Sequence, residues 1–281
     1  MIEYVIIAIL QGLFEWLPIS SSGQTFIIAS NFLGISPEQA FSLAIWLHLG
    51  TTFAVLVKFR TDFAKVIRSF LPKTYSTEEV DKKKRNWLIY ATLGTGITAL
   101  PLYFIFKILI SDTFTAMQGD IITLMISGLL IITGIILLKT RKLYGKNSLE
   151  GVQIKDIPKD SFLSGLIQGV SILPGISRSG VTVTWILLEK YEQDHALRLS
   201  FLMSVPVAIA SIIVDIIFGE GSVFGTLDFL TIFITTLVSF LIGYITMEIL
   251  LRLSQKVNFG YFCIAYGVVA YLIIVPFIIF S

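Results

Sequence analysis

The chain has 281 residues, 55% of them hydrophobic and 14% charged, with a mean hydropathy of +0.84. That charged share lies far below the ~25% of soluble domains, and several apolar runs approach or exceed the ~20 residues that cross a bilayer, so a soluble globular domain is excluded. The single cysteine, Cys263, excludes an intrachain disulfide, and a net charge of +2 leaves no footprint for a nucleic-acid partner.

In chain order, residues 4–35 form an apolar stretch that Pro, Gly and Ser break in the middle. Full crossings are predicted near 41–58, 87–108 and 121–138, and again near 198–218, 227–251 and 261–280, with a second broken stretch at 162–188 between the two sets. The arms of both broken stretches run to only about 11–16 residues, short for a crossing, and predict re-entrant hairpins. Non-helical backbone at membrane depth is tolerated where protein or a water-filled cavity satisfies it, so both breaks are expected to face a polar cavity. The expected fold is all-α and integral to the membrane: six transmembrane helices plus two re-entrant hairpins in a single domain. The N-terminus lacks a signal-peptide pattern and is expected to be retained.

Nineteen of the 21 basic residues fall in the 58–86 and 139–160 connections or beside the matching helix ends at Lys190, Arg198, Arg252 and Lys256. The opposite side carries Glu38, Asp112, Asp120, Glu220 and Asp228, with Lys107 near it. The positive-inside rule makes the basic side cytoplasmic and puts both termini outside.

The two breaks resemble each other. "QGLFEWLPISSSG" runs from Gln11 to Gly23 and "QGVSILPGISRSG" from Gln168 to Gly180, both opening on Gln-Gly and closing on Ser-x-Ser-Gly. The orientation makes the first hairpin enter from outside and the second from the cytoplasm. An inverted repeat is therefore expected, with halves of about 1–138 and 160–281 and a site at their interface.

Serines placed before new apolar arms are good N-caps, and the free amides of the first turn favour an anion. Arg178 lies between Ser177 and Ser179 at such a break. An intramembrane arginine is costly, and its fork of donors suits phosphate oxygens; the plainer alternative is pairing with Glu15. Glu15 lies one helical turn after Gln11, where a carboxylate can hold a divalent metal, act as a base or pair with Arg178. Ser20, Ser21, Ser22, Ser177, Ser179 and Thr182 supply hydroxyls, most expected in caps and turns, with room for one nucleophile. His48 is the one histidine in an apolar context; it is either a core residue or part of a proton relay. His195 is read as solvated.

At these residues the chain resembles the undecaprenyl-diphosphatase (UppP/BacA) family, over nearly its whole length. One family motif, Glu/Gln-x-x-x-Glu before a Ser-rich turn, is matched by Gln11, Glu15 and Ser20 to Gly23. The other, Pro-Gly-x-Ser-Arg-Ser-x-x-Thr, is matched by Pro174, Gly175, Ser177, Arg178, Ser179 and Thr182. The resemblance implies a plasma-membrane phosphatase that removes one phosphate from a C55-type polyprenyl diphosphate, with its active site facing outside. It implies Ser21 as nucleophile, Glu15 or His48 as its activator, and Arg178 as the phosphate clamp. Gln11, Ser20, Ser22, Gly23, Gln24, Gly175, Ser177, Ser179 and Thr182 are the expected substrate contacts. Glu15 is the expected ligand of a Mg²⁺ or Ca²⁺ cofactor, and a homodimer is allowed for, alongside membrane lipids as partners. Many members carry Glu at the position of Gln11 and His at that of Gln24. The first departure weakens the case for a metal; the second leaves either His48 or Glu15 alone to move the proton. A flippase using the same phosphate cradle is the competing reading.

Overall fold

The computed structural model describes residues 1–17, 20–29, 33–71, 78–113, 147–173, 176–219 and 222–253, with helical positions inside 124–139 and 261–275. Among the described residues ten α-helices can be bounded: α1 (Ile2–Phe14), α2 (Ser21–Ile27), α3 (Pro37–Lys58), α4 (Arg60–Arg68), α5 (Glu79–Thr113), α6 (Ile157–Gly169), α7 (Arg178–Leu188), α8 (Gln193–Phe218), α9 (Val223–Thr226) and α10 (Phe229–Leu253). A 3₁₀ turn, Val170–Ile172, follows α6. Among the described residues there is no β-strand, only an isolated bridge between Asn147 and Tyr191.

Gln39–Lys58, Glu79–Lys107, Gln193–Phe218 and Phe229–Arg252 are long and apolar enough to cross a membrane. These correspond to four of the expected crossings. The other two, 121–138 and 261–280, fall largely outside the described residues. The chain is an all-α integral membrane protein, and the outward face of α10, with Phe229, Phe233, Leu237, Leu241, Ile245 and Ile249 exposed, is apolar as a bilayer requires.

Two elements depart from the sequence reading. α5 begins at Glu79, ahead of the expected residue 87. Its 35 residues span about 52 Å, well beyond a ~30 Å hydrocarbon core, so its charged first turns project out of the apolar layer. The 58–86 connection also contains α4, an amphipathic helix whose Asp62 is bound by Lys84 Nζ (2.5 Å).

The packing is crossed. α1 lies against α10, and α6 lies against α5. Glycines make both approaches close: a Cβ at Gly12 would come within 2.8 Å of Ile242 Cβ, and one at Gly165 would run into the Ala91 backbone. Hydroxyls then bond bare carbonyls across each seam. Thr246 Oγ1 donates to Gly12 O (2.6 Å), while Thr95 Oγ1 and Thr98 Oγ1 reach Gly165 O (3.0 Å) and Leu166 O (2.9 Å). In turn, α2 packs on α3 and α7 on α8, and α3 meets α8 at the centre. This brings the ends of the two broken stretches together.

Candidate active site

Both breaks end in a capped helix, as expected of Ser before an apolar arm. Ser20 takes a left-handed conformation (φ 51°) and its side chain accepts from Gly23 N (3.3 Å) at the start of α2. Ser177 accepts from Gly180 N (3.1 Å) at the start of α7, making Arg178 the first residue of that helix. The two breaks are also bonded to each other. Ser177 Oγ and Ser179 Oγ each donate to Leu17 O at 3.2 Å, so the second break is held against the chain just after Glu15.

Glu15 is buried at the centre. Arg178 Nη2 donates to its Oε1, and Arg178 also lies over the Trp16 ring, 6.0 Å from the centroid. Its Oε2 accepts from Ser21 Oγ (2.7 Å) and Gln11 Nε2 (2.7 Å), with His48 Nε2 at 3.3 Å. The pairing of Arg178 with Glu15 is therefore real, but it does not exhaust the guanidinium. Arg178 Nη1 is buried and, among the described residues, has no partner.

The His48 tautomer follows from its neighbours. Nδ1 lies 2.6 Å from Ala44 O, which can only accept, so Nδ1 carries a hydrogen. A bond between Nε2 and Glu15 then needs one further proton between them. Glu15 Oε2 thus faces both the His48 ring and the Ser21 hydroxyl.

Glu15, Ser20, Ser21, Ser22, His48, Ser177 and Arg178 line one cavity enclosing about 860 Å³ of empty space, its mouth included. One part of the wall is polar; another is apolar, from Phe41, Ala44, Ile45, Ile172, Val207 and Ala208. Other expected contacts stand behind the wall. Gln11 supports Glu15, and the Gly23 amide is spent on the Ser20 cap. Thr182 Oγ1 bonds Arg178 O (2.7 Å) and Ser200 Oγ (2.6 Å), and Ser179 bonds backbone oxygens, so both fix α7 in place. Gln24 is half-buried on α2 and does not line the cavity. Gly175 lies outside the described residues. His195 pairs with Glu150 (3.2 Å) and Glu192 (3.4 Å), remote from the site.

The sequence reading missed Thr51, Thr52, Thr95, Gln168, Ser171, Ser204 and Ser211, which also line the cavity. For Gln168 alone a signal was available, the Gln-Gly pair that it shares with Gln11.

The protein side chains alone are a lean donor set for a Mg²⁺ or Ca²⁺. Such ions take six or more oxygens, whereas Glu15 has both oxygens committed to hydrogen donors and a guanidinium sits against it. Among the described residues no three His, Cys, Asp or Glu side chains converge.

The family model described as bacitracin resistance protein BacA matches residues 4–272. An undecaprenyl-diphosphatase of Methanothrix thermoacetophila is 38% identical over 268 residues, covering 95% of this chain and 94% of that protein. One from Methanococcoides burtonii is 37% identical, covering 96% of this chain and 97% of the relative, and one from Haloarcula marismortui is 32% identical, covering 94% and 93%. With a family model spanning nearly the whole chain and relatives matched almost end to end, the chain belongs to the BacA family.

Proposed function

We propose that the protein is a polyprenyl diphosphate phosphatase of the undecaprenyl type, releasing one phosphate so that the lipid carrier is recycled. One observation carries the reading: Ser21 Oγ donates at 2.7 Å to Glu15 Oε2 while Arg178 holds the other oxygen of the same carboxylate. Nucleophile, base and phosphate clamp are thus assembled on a single buried group.

The terminal phosphate enters with its oxygens toward Arg178 Nη1. Ser21 Oγ attacks phosphorus and its proton passes to Glu15 Oε2. The bridging P–O bond breaks and polyprenyl phosphate leaves with the bridging oxygen. Water then attacks the phosphoserine, giving a proton to His48 Nε2. The Oγ–P bond breaks, Ser21 regains its proton from Glu15, and His48 gives up the water proton to solvent as phosphate departs. Arg178 steadies the charge on the equatorial oxygens throughout. The apolar wall suits the first isoprene units of the lipid.

The same reading places the site in a plasma membrane, opening outward, between inverted halves with six crossings and two re-entrant hairpins. The two crossed seams, α1 on α10 and α6 on α5, support that symmetry. The clustering of basic residues supports both termini outside. The committed Glu15 oxygens support a reaction without a protein-held Mg²⁺ or Ca²⁺.

The test is phosphate release from undecaprenyl diphosphate by purified protein in detergent. Release by the wild type and its loss in Ser21→Ala are expected. Transbilayer movement of polyprenyl phosphate without any release would instead make the protein a flippase.

A further inference from the structure

Gln168 belongs to a part of the wall that the reaction above leaves idle. It sits near the end of α6, 1% exposed, and lines the cavity with Glu15, His48 and Arg178. Its amide orientation is fixed by what surrounds it. Thr95 Oγ1 gives its hydrogen to Ala91 O (2.8 Å) or Gly165 O (3.0 Å), so only a lone pair faces Gln168. The group turned toward Thr95 must therefore be the NH₂, and Nε2 donates to it at 3.1 Å. Met203 O, which can only accept, lies 3.5 Å from the same nitrogen.

That leaves Oε1 on the other side, buried and without a partner among the described residues. A buried amide oxygen with no donor is costly, and such groups call for a ligand. A phosphate is the wrong one. Its oxygens accept, and the site meets them with the free Nη1 of Arg178. A lone acceptor repels a phosphoryl oxygen and binds a molecule with hydrogen to give.

We propose that Gln168 Oε1 holds the water molecule that accepts the phosphoryl group. Water bound by one hydrogen to Oε1 and by the other toward the Glu15–His48 pair keeps a lone pair free for phosphorus. Attack forms the new P–O bond as the bond from phosphorus to its leaving oxygen breaks, and the water proton goes to Glu15–His48. This rests on the phosphatase reading, but it holds whether water attacks a phosphoserine or the diphosphate itself.

A competing acceptor tests it. Purified wild type and Gln168→Met are given farnesyl diphosphate in detergent with methanol present, and inorganic phosphate and methyl phosphate are both measured. Methionine keeps the volume and removes the oxygen. Transfer to water is expected to fall about 30-fold or more in kcat, the scale of losing an oriented reactant. KM is expected to stay within about twofold, because the contact is to water rather than to substrate. The ratio of methyl phosphate to phosphate should rise. A residue that merely ties α6 to α5 and α8 would depress both products together and leave the ratio unchanged. The ratio is read from active molecules alone, so partial misfolding does not alter it. An unchanged ratio, or a rise in KM alone, overturns the assignment and leaves the phosphatase reading standing. A wild type that releases no phosphate overturns both.

Discussion

His48 Nε2 lies 3.3 Å from Glu15 Oε2, while its Nδ1 is held at 2.6 Å by Ala44 O. The ring is thus fixed with one nitrogen facing Glu15, the only carboxylate among the described residues that line the cavity. His48→Ala is expected to lower kcat by about 10²-fold, the range for losing a general acid or base. Glu15→Gln should abolish turnover. Gln24→His is expected not to restore the His48→Ala variant, because Gln24 does not line the cavity. Steady-state rates of the three variants across pH check this; near-normal turnover in His48→Ala would leave Glu15 as the sole base.

Arg178→Lys keeps the charge but not the fork. An ammonium cannot bond Glu15 and a phosphoryl oxygen from two nitrogens at once, so kcat/KM should fall by about 10²-fold or more with normal expression. Activity close to wild type would remove Arg178 from the phosphate site.

Gly165→Ala tests the α5–α6 seam. A methyl at Gly165 meets the Ala91 carbonyl, which is helical backbone and cannot step aside. A loss of about 1–3 kcal/mol is expected from overpacking, read as a lowered melting temperature in detergent. Gly96, where a Cβ meets nothing within 4 Å, is the control: Gly96→Ala should not lower it.

Beyond the end of α7, Glu189 accepts from Trp185 Nε1 (2.9 Å) and Ser164 Oγ (3.3 Å). Burial, reinforced by the nearby Asp160, pushes its carboxyl from 4.5 up to about 8. The folded state therefore holds this proton more tightly than the unfolded state. Its contribution to stability declines as pH rises from about 4.5 to about 8 and stays low above that. Glu189→Gln should raise the melting temperature relative to wild type near the top of that window and change it little at the bottom. Equal shifts at both ends would contradict a half-buried Glu189 that holds its proton.

Orientation is open to a labelling experiment. With Cys263 replaced by Ala, a cysteine at Ser222 should react with an impermeant thiol reagent in intact cells, and one at Ser76 should not. The reverse pattern would invert the topology.

What the sequence made legible follows from cost. Glu15 and Arg178 stood out because charge in an apolar arm is expensive, and Ser20 and Ser177 because serine before such an arm caps it; in the structure the two serines cap α2 and α7, and Arg178 pairs with Glu15. Thr95, Gln168 and Ser204 gave no such signal. A threonine or serine in a helix normally bonds the carbonyl one turn back, as Thr95 does to Ala91 and Thr182 does to Arg178. Only the crossing of α5, α6 and α8 turns some of them onto a shared cavity. The early start of α5 was hidden for a related reason: Lys82 to Arg85 read as loop, because a helix continuing past the membrane surface loses the apolar pattern that reveals it.

The seat of α1 is supplied by the far end of the chain. Trp16 Nε1 donates to Gly243 O (2.7 Å), and Thr246 closes on Gly12 O, in each case across more than two hundred residues of sequence. A chain still on the ribosome, with α10 not yet made, holds Glu15 on an arm that has nothing to lean against. Ser21 and Glu15 emerge early, yet their geometry is completed only when nearly the whole polypeptide has been inserted. Prematurely terminated products therefore carry Glu15 and Ser21 without the means to align them.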